Sequence, residues 1–224
     1  MKRAFLLLIF INLLVSLARA GKADSCFYLQ VDLANRWILR GTAYSEAPVV
    51  QPSIGFANER MNISVWGSYP IERRAYSEID FIPEYQLTTK LSLGFVDYFA
   101  INDSIGAKHG FFDMNRKTTM HMLVVCFVYQ PILKVPLSIQ YSLWFWGADR
   151  KAMTNEQNFS SYVEIKYEKD YGKAKATVFT GMTLWEGFYA SCAAVVNAGI
   201  GLSKPITLGN RISIPAKIEF ILNP

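Results

Sequence analysis

Charged side chains recur two or four residues apart at several points of this 224-residue chain, spacings that put both members on one face of a β-strand. Asp32, Arg36 and Arg40 share one parity of a first segment, Glu78, Asp80 and Glu84 share one parity of a later one, and Glu164 and Lys166 share another. Arginines facing carboxylates across a narrow aqueous space would orient polar solutes and bias which ions enter, because low-dielectric walls focus the field. The plainer reading, and the one to expect of any such barrel, is that these groups solvate a water-filled interior or pair across it as wall scaffolding, with Tyr28 and Trp66 among the side chains that fold over it. Acid–base chemistry would fall to two histidines: His109, five residues after Ser104, and His121, between Met120 and Met122. Neither lies in a nucleophile or base motif and no carboxylate is placed by spacing to orient either ring, so no catalytic residue is expected. Cys26, Cys126 and Cys192 are odd in number and lack metal-like spacing, so no metal, cofactor or disulfide framework is expected.

The elements that must carry these side chains alternate in polarity. From Phe27 to Arg40, Phe27, Leu29, Val31, Leu33, Trp37 and Leu39 fall on one parity and Gln30, Asp32, Arg36 and Arg40 on the other, which is the period of a half-buried strand. Ten further segments repeat the pattern: 50–56, 61–69, 78–87, 90–99, 119–129, 136–146, 159–168, 174–185, one within 192–203, and 212–222. Each is bounded by Gly, Pro, Asn or charged turn residues. The connections alternate too, long at 40–49, 70–77, 100–118 and 147–158, short at 57–60, 88–89, 130–135 and 169–173. Outer-membrane barrels sort their loops in this way, and their strand numbers are even in single bacterial chains. About twelve strands are therefore expected, the extra one within 183–224, where small residues blur the alternation; a helix near 191–202 competes there, and Gly199 and Gly201 oppose it. Asp97 continues the apolar parity of Leu91, Leu93 and Phe95, so either a bulge intervenes or it lies above the apolar band. Tyr69, Tyr98, Phe99, Trp144, Phe145, Trp146 and Trp185 read as an interfacial girdle at the outer strand ends.

Ahead of the strands, Met1 to Ala20 has a basic start, an apolar run from Ala4 to Leu17 and an Ala18-Arg-Ala20 cleavage site, the pattern of a signal peptide cut before Gly21. The leader takes Lys2, Arg3 and Arg19 with it, so the exported chain has only two more basic than acidic residues. No clustered Lys/Arg stripe remains, and nucleic acid is not an expected partner.

Val31-Asp-Leu-Ala-Asn-Arg-Trp-Ile-Leu-Arg40-Gly41, Gln51-Pro52, Val65-Trp66-Gly67-Ser68, Glu78-Ile-Asp80, Asp97-Tyr98 and Leu222-Asn-Pro224 together resemble the TorF-like porin family of small Gram-negative outer-membrane proteins. The resemblance implies a barrel and a pore without naming a solute. The expectation is thus an all-β chain: a signal peptide over 1–20, then a transmembrane antiparallel up-and-down β-barrel over 21–224, in contact with outer-membrane lipids and passing small polar solutes or ions. Asp32, Arg36, Arg40, Glu78, Asp80, Glu84, Glu164 and Lys166 would face its lumen. A closed barrel presenting its loops, and an outer-membrane acyl-chain enzyme using His109 or His121, are the alternatives.

Overall fold

The computed structural model describes residues 25–72, 76–101, 110–132, 134–208 and 212–224. The expected leader, Ser104 and His109 lie outside them. Among the described residues thirteen strands follow in order: β1 (Ser25–Ala34), β2 (Trp37–Leu39), β3 (Thr42–Ser45), β4 (Val49–Asn58), β5 (Met61–Pro70), β6 (Ser77–Gln86), β7 (Leu91–Ile101), β8 (His121–Tyr129), β9 (Leu137–Gly147), β10 (Ser161–Tyr171), β11 (Ala174–Thr183), β12 (Ala194–Leu208) and β13 (Ile212–Leu222). Eleven of them form one antiparallel up-and-down sheet, each pairing with its neighbour in the chain once β2 and β3 are set aside as a separate hairpin.

Two expectations are corrected. The sheet among the described residues has eleven strands rather than twelve, because 184–193 forms a chain of bends instead of a further strand. The first strand ends at Ala34, since the chain bends at Asn35-Arg36 before β2 begins. Trp37 and Leu39 kept the apolar parity of β1, and so the break did not disturb the alternation.

The sheet rolls around the hairpin. Trp37 at its base packs against Trp66 of β5 with ring centroids 5.6 Å apart, while Gly41 at its tip lies against the backbone of Val196 in β12. β5 and β12 stand seven places apart in the sheet, roughly 34 Å if it were flat. The four residues from Trp37 to Gly41 reach only about 14 Å, so the strands between must curve round them.

Polarity is divided between the two faces of that curve. The convex face carries Phe27 (71% exposed), Leu33 (79%), Phe220 (70%) and Leu222 (70%), with Ile54, Phe81, Phe95, Ile165, Val178 and Ile200 on the strands between them. The concave side holds a core of Val96, Tyr98, Val124, Cys126, Trp144, Tyr162 and Val196, together with buried Ser64, Ser68, Glu78, Asp80, Ser142, Thr177 and Asn197. Antiparallel order sets the strand ends that flank the long connections, 35–48, 71–76, 102–120, 148–160 and 184–193, at one end of the sheet and those that flank the short ones at the other.

Candidate functional site

The hairpin turns on two residues, Arg40 (φ 51°) and Gly41 (φ 79°), between the paired residues Leu39 and Thr42. Both turn positions need positive φ. Gly41 takes it freely, and it alone fits, because a Cβ there would overlap the Val196 carbonyl. Arg40 takes it at a cost of about 1–2 kcal/mol, which its contacts offset. Its guanidinium lies 4.6 Å from the Trp144 ring and 4.8 Å from the Tyr162 ring. Nη1 donates to Tyr189 Oη and Nη2 to Ser142 Oγ, both at 3.2 Å. A desolvated cation–π contact contributes about 2 kcal/mol. Among the described residues no carboxylate reaches ion-pair distance of Arg40, so a buried cation is held by ring faces and neutral acceptors.

At the other side of the hairpin, Trp37 stacks on Tyr44 and Tyr76, at 4.9 and 5.5 Å, and Tyr76 donates to Glu78 Oε2. Glu78 and Asp80 lie buried on the concave face of β6, each with one oxygen lacking a partner. Burial pushes the Tyr44, Tyr76 and Tyr189 phenols above their ordinary value, and for Tyr44 and Tyr76 the Glu78 carboxylate pushes the same way. All three therefore remain neutral, Tyr76 as a donor to Glu78 and Tyr189 as an acceptor from Arg40.

Beside Arg40 opens a polar cleft of about 380 Å³, lined by the concave sides of β10 to β13 and by Ile38. Strand register sorts its charges into rows. Glu164 and Asn197 lie opposite each other across Gly181; Lys166 lies one row on, level with Phe179; Glu168 and Glu219 share the next row, across Thr177 and Gly201; Lys175 and Lys217 share the last, across Ser203, with Asp170 of β10 beside Lys175. Rows two residues apart are separated by about 7 Å. Lys217 pairs with Glu219 at 2.7 Å and Lys166 approaches Glu168 at 4.0 Å. At the Arg40 end, Tyr162 donates to Glu164 Oε2 at 2.6 Å and accepts from Asn197 Nδ2 at 2.8 Å, while the buried Asn197 Oδ1 has no partner.

Tyr162 reaches Asn197 by lying across Gly181, where a Cβ would overlap its hydroxyl. The device recurs at the opposite side of the sheet. Tyr28 of β1 crosses Gly55 of β4 and donates to Asn62 Oδ1 of β5 at 3.0 Å, and Asn62 donates to Glu84 at 3.2 Å.

The remaining singled-out residues are dispersed. Asp32 accepts from Gln30 at 2.7 Å and is exposed, and Glu84 is exposed near the short-turn end. Arg36 is corrected: the bend after Ala34 takes it off the β1 parity, and it pairs with Glu46 at 3.1 Å, both side chains more than half exposed. Such a pair contributes little. Of the expected girdle, Trp144 and Tyr98 turn instead to the concave core and Phe99 is covered by Phe111, leaving Tyr69, Phe145 and Trp185 exposed and Trp146 half-buried.

Asp97 sits on the convex side without a bulge, since the β7–β8 register runs unbroken from Leu91 to Phe99. Its carboxylate lies 2.9 Å from Nδ1 of the buried His121, whose Nε2 is 2.6 Å from the Phe111 carbonyl. A carboxylate does orient this ring, but its second nitrogen faces a backbone acceptor, so the arrangement straps a loop onto the sheet and leaves no nitrogen for a nucleophile's proton. Spacing could not reveal the pair, because 24 residues separate the partners and only strand pairing joins them. Arg150 fixes the neighbouring loop by donating to the carbonyls of Arg116, Gly147 and Thr119. Asp149 accepts from the Ser160 amide at 2.8 Å and its hydroxyl at 2.7 Å.

The chain matches no family model, no curated protein and no solved structure.

Proposed function

We propose that the chain is an outer-membrane β-barrel, of the TorF-like porin kind that it resembles, and that it acts as a narrow channel for small polar solutes or ions, restricted by hairpin β2–β3. One observation carries the reading: an apolar face left exposed along the sheet, from Phe27 and Leu33 on β1 to Phe220 and Leu222 on β13, while the buried polar and charged groups of the strands lie with the core on the opposite side. Water-soluble proteins rarely expose contiguous apolar patches beyond a few hundred Å², whereas a lipid-facing wall requires that arrangement. The sheet strands, 9 to 15 residues long, suit the 9–11 residues of a tilted membrane span. Tyr85, Tyr129, Tyr167 and Tyr171 stand exposed toward the short-turn end, as an interfacial aromatic belt would. Closing the wall would bring β1 against β13, and eleven alternating strands leave these two running in the same direction, so the seam is parallel.

Conductance in planar bilayers tests the channel. The intact protein is expected to give small steps, and replacing 36–45 with a short Gly/Ser link should enlarge them severalfold. Arg40→Ala should shift selectivity toward cations by removing a fixed positive charge from the narrowest level. A specific observation favours the second reading, a closed barrel: Val124, Trp144 and Tyr162 are no more than 2% exposed around Arg40. If the link variant shows heat-dependent gel migration but no steps, the closed barrel replaces the channel.

A further inference from the structure

We propose that the cleft beside Arg40 is a binding site for compact zwitterions of amino-acid to dipeptide size. The inference deepens the channel reading by naming a solute class, and for a role in transport it rests on that reading; binding itself does not require it. Three observations converge. Signs alternate by row from the hairpin outward over Arg40, Glu164, Lys166 and Glu168 with Glu219, and the outermost row carries both signs, Lys175 and Lys217 beside Asp170. A solute with a single charge meets a like charge about 7 Å from every attractive one, whereas a solute bearing both signs at that separation finds a match at each level.

Next, the inner end has unmet demand of both kinds. Arg40 has spare N–H donors beyond those taken by Tyr189 and Ser142, and no carboxylate partner among the described residues. Asn197 Oδ1 is a buried acceptor without a donor, beside Glu164. A buried orphan of this kind is destabilising and is relieved by any ligand that donates to it. Finally, the two demands lie one tyrosine apart: Arg40 rests on the face of Tyr162 while Glu164 and Asn197 bond to its hydroxyl. A carboxylate directed at Arg40 and an ammonium directed at Glu164 and Asn197 therefore fit one short molecule, and the 380 Å³ of the cleft falls within the range of small-molecule sites.

The test is titration calorimetry on detergent-solubilised full-length protein with three probes at equal ionic strength: glycylglycine, which carries both charges, N-acetylglycine, which keeps the carboxylate, and glycinamide, which keeps the ammonium. Glycylglycine should bind at least tenfold more tightly than either half. Glu164→Gln should weaken it at least tenfold, and Lys173→Ala, in the turn between β10 and β11, should not. Equal affinity for the three probes, no binding to protein that migrates as folded, or unchanged binding by folded Glu164→Gln would each overturn the proposal. If Glu164→Gln does not fold, the three-probe comparison on the unaltered protein decides. Conductance without zwitterion binding removes this inference and spares the channel; binding without conductance does the reverse.

Discussion

Adjacent residues of a strand point to opposite sides, so Asp32 and Leu33 make a direct measurement of which face is which. Leu33 is among the most exposed apolar side chains of the sheet, and Asp32 sits on the other face beside Gln30. In native membranes, with Cys26, Cys126 and Cys192 replaced by serine, Asp32→Cys should react with a water-soluble thiol reagent at least tenfold faster than Leu33→Cys. The opposite order would mean a register shifted by one residue. Parity in the sequence was enough to place Asp32, Glu78, Asp80, Glu84, Glu164 and Lys166 on one kind of face. It failed for Arg36, where two residues of bend were absorbed without upsetting the count. It was silent about Asp97 and His121, whose meeting depends on register between strands.

Among elements, the tyrosine–glycine–asparagine crossings tie three successive strands together on the concave side. Gly181→Ala drives a Cβ into the Tyr162 hydroxyl, and overpacking of this sort costs about 1–3 kcal/mol. The urea midpoint should fall accordingly. Tyr162→Phe removes the nearest of the three atoms struck and leaves ring Cζ and Cε2 in the way, so the double variant should lose somewhat less than the sum of the two single changes, and strict additivity would refute the hydroxyl contact. The strands and the alternation of long and short connections were legible from period two and turn residues alone. Hairpin β2–β3 was not, although Gly41 marked its turn, because its apolar residues continued the parity of the strand before it.

For the molecule as a whole, the raised phenols of Tyr44, Tyr76 and Tyr189 set a sign for alkaline behaviour. A group whose folded-state pKa lies above its unfolded one contributes stability that is complete below the unfolded value, about 10 for tyrosine, and declines as pH rises past it. Stability in urea should therefore be level up to about pH 9.5 and fall beyond it, and absorbance at 295 nm should show these phenols ionising only as the protein unfolds. Phenols that titrate freely in folded protein would contradict their burial. The eleven-strand count was readable as eleven segments, and it was the expectation of evenness that added a twelfth.

The hairpin's position also orders events in time. It is made early in the chain, at 37–45, yet the groups that hold its tip, Ser142, Trp144, Tyr162, Tyr189, Val196 and Asn223, come 100 to 180 residues later. Contacts so distant in sequence carry the largest closure entropy and form slowly. Arg40 has no finished cage to enter until β9 through β12 have paired, so the base of the hairpin, on Trp66 and Tyr76, has its partners well before the tip does.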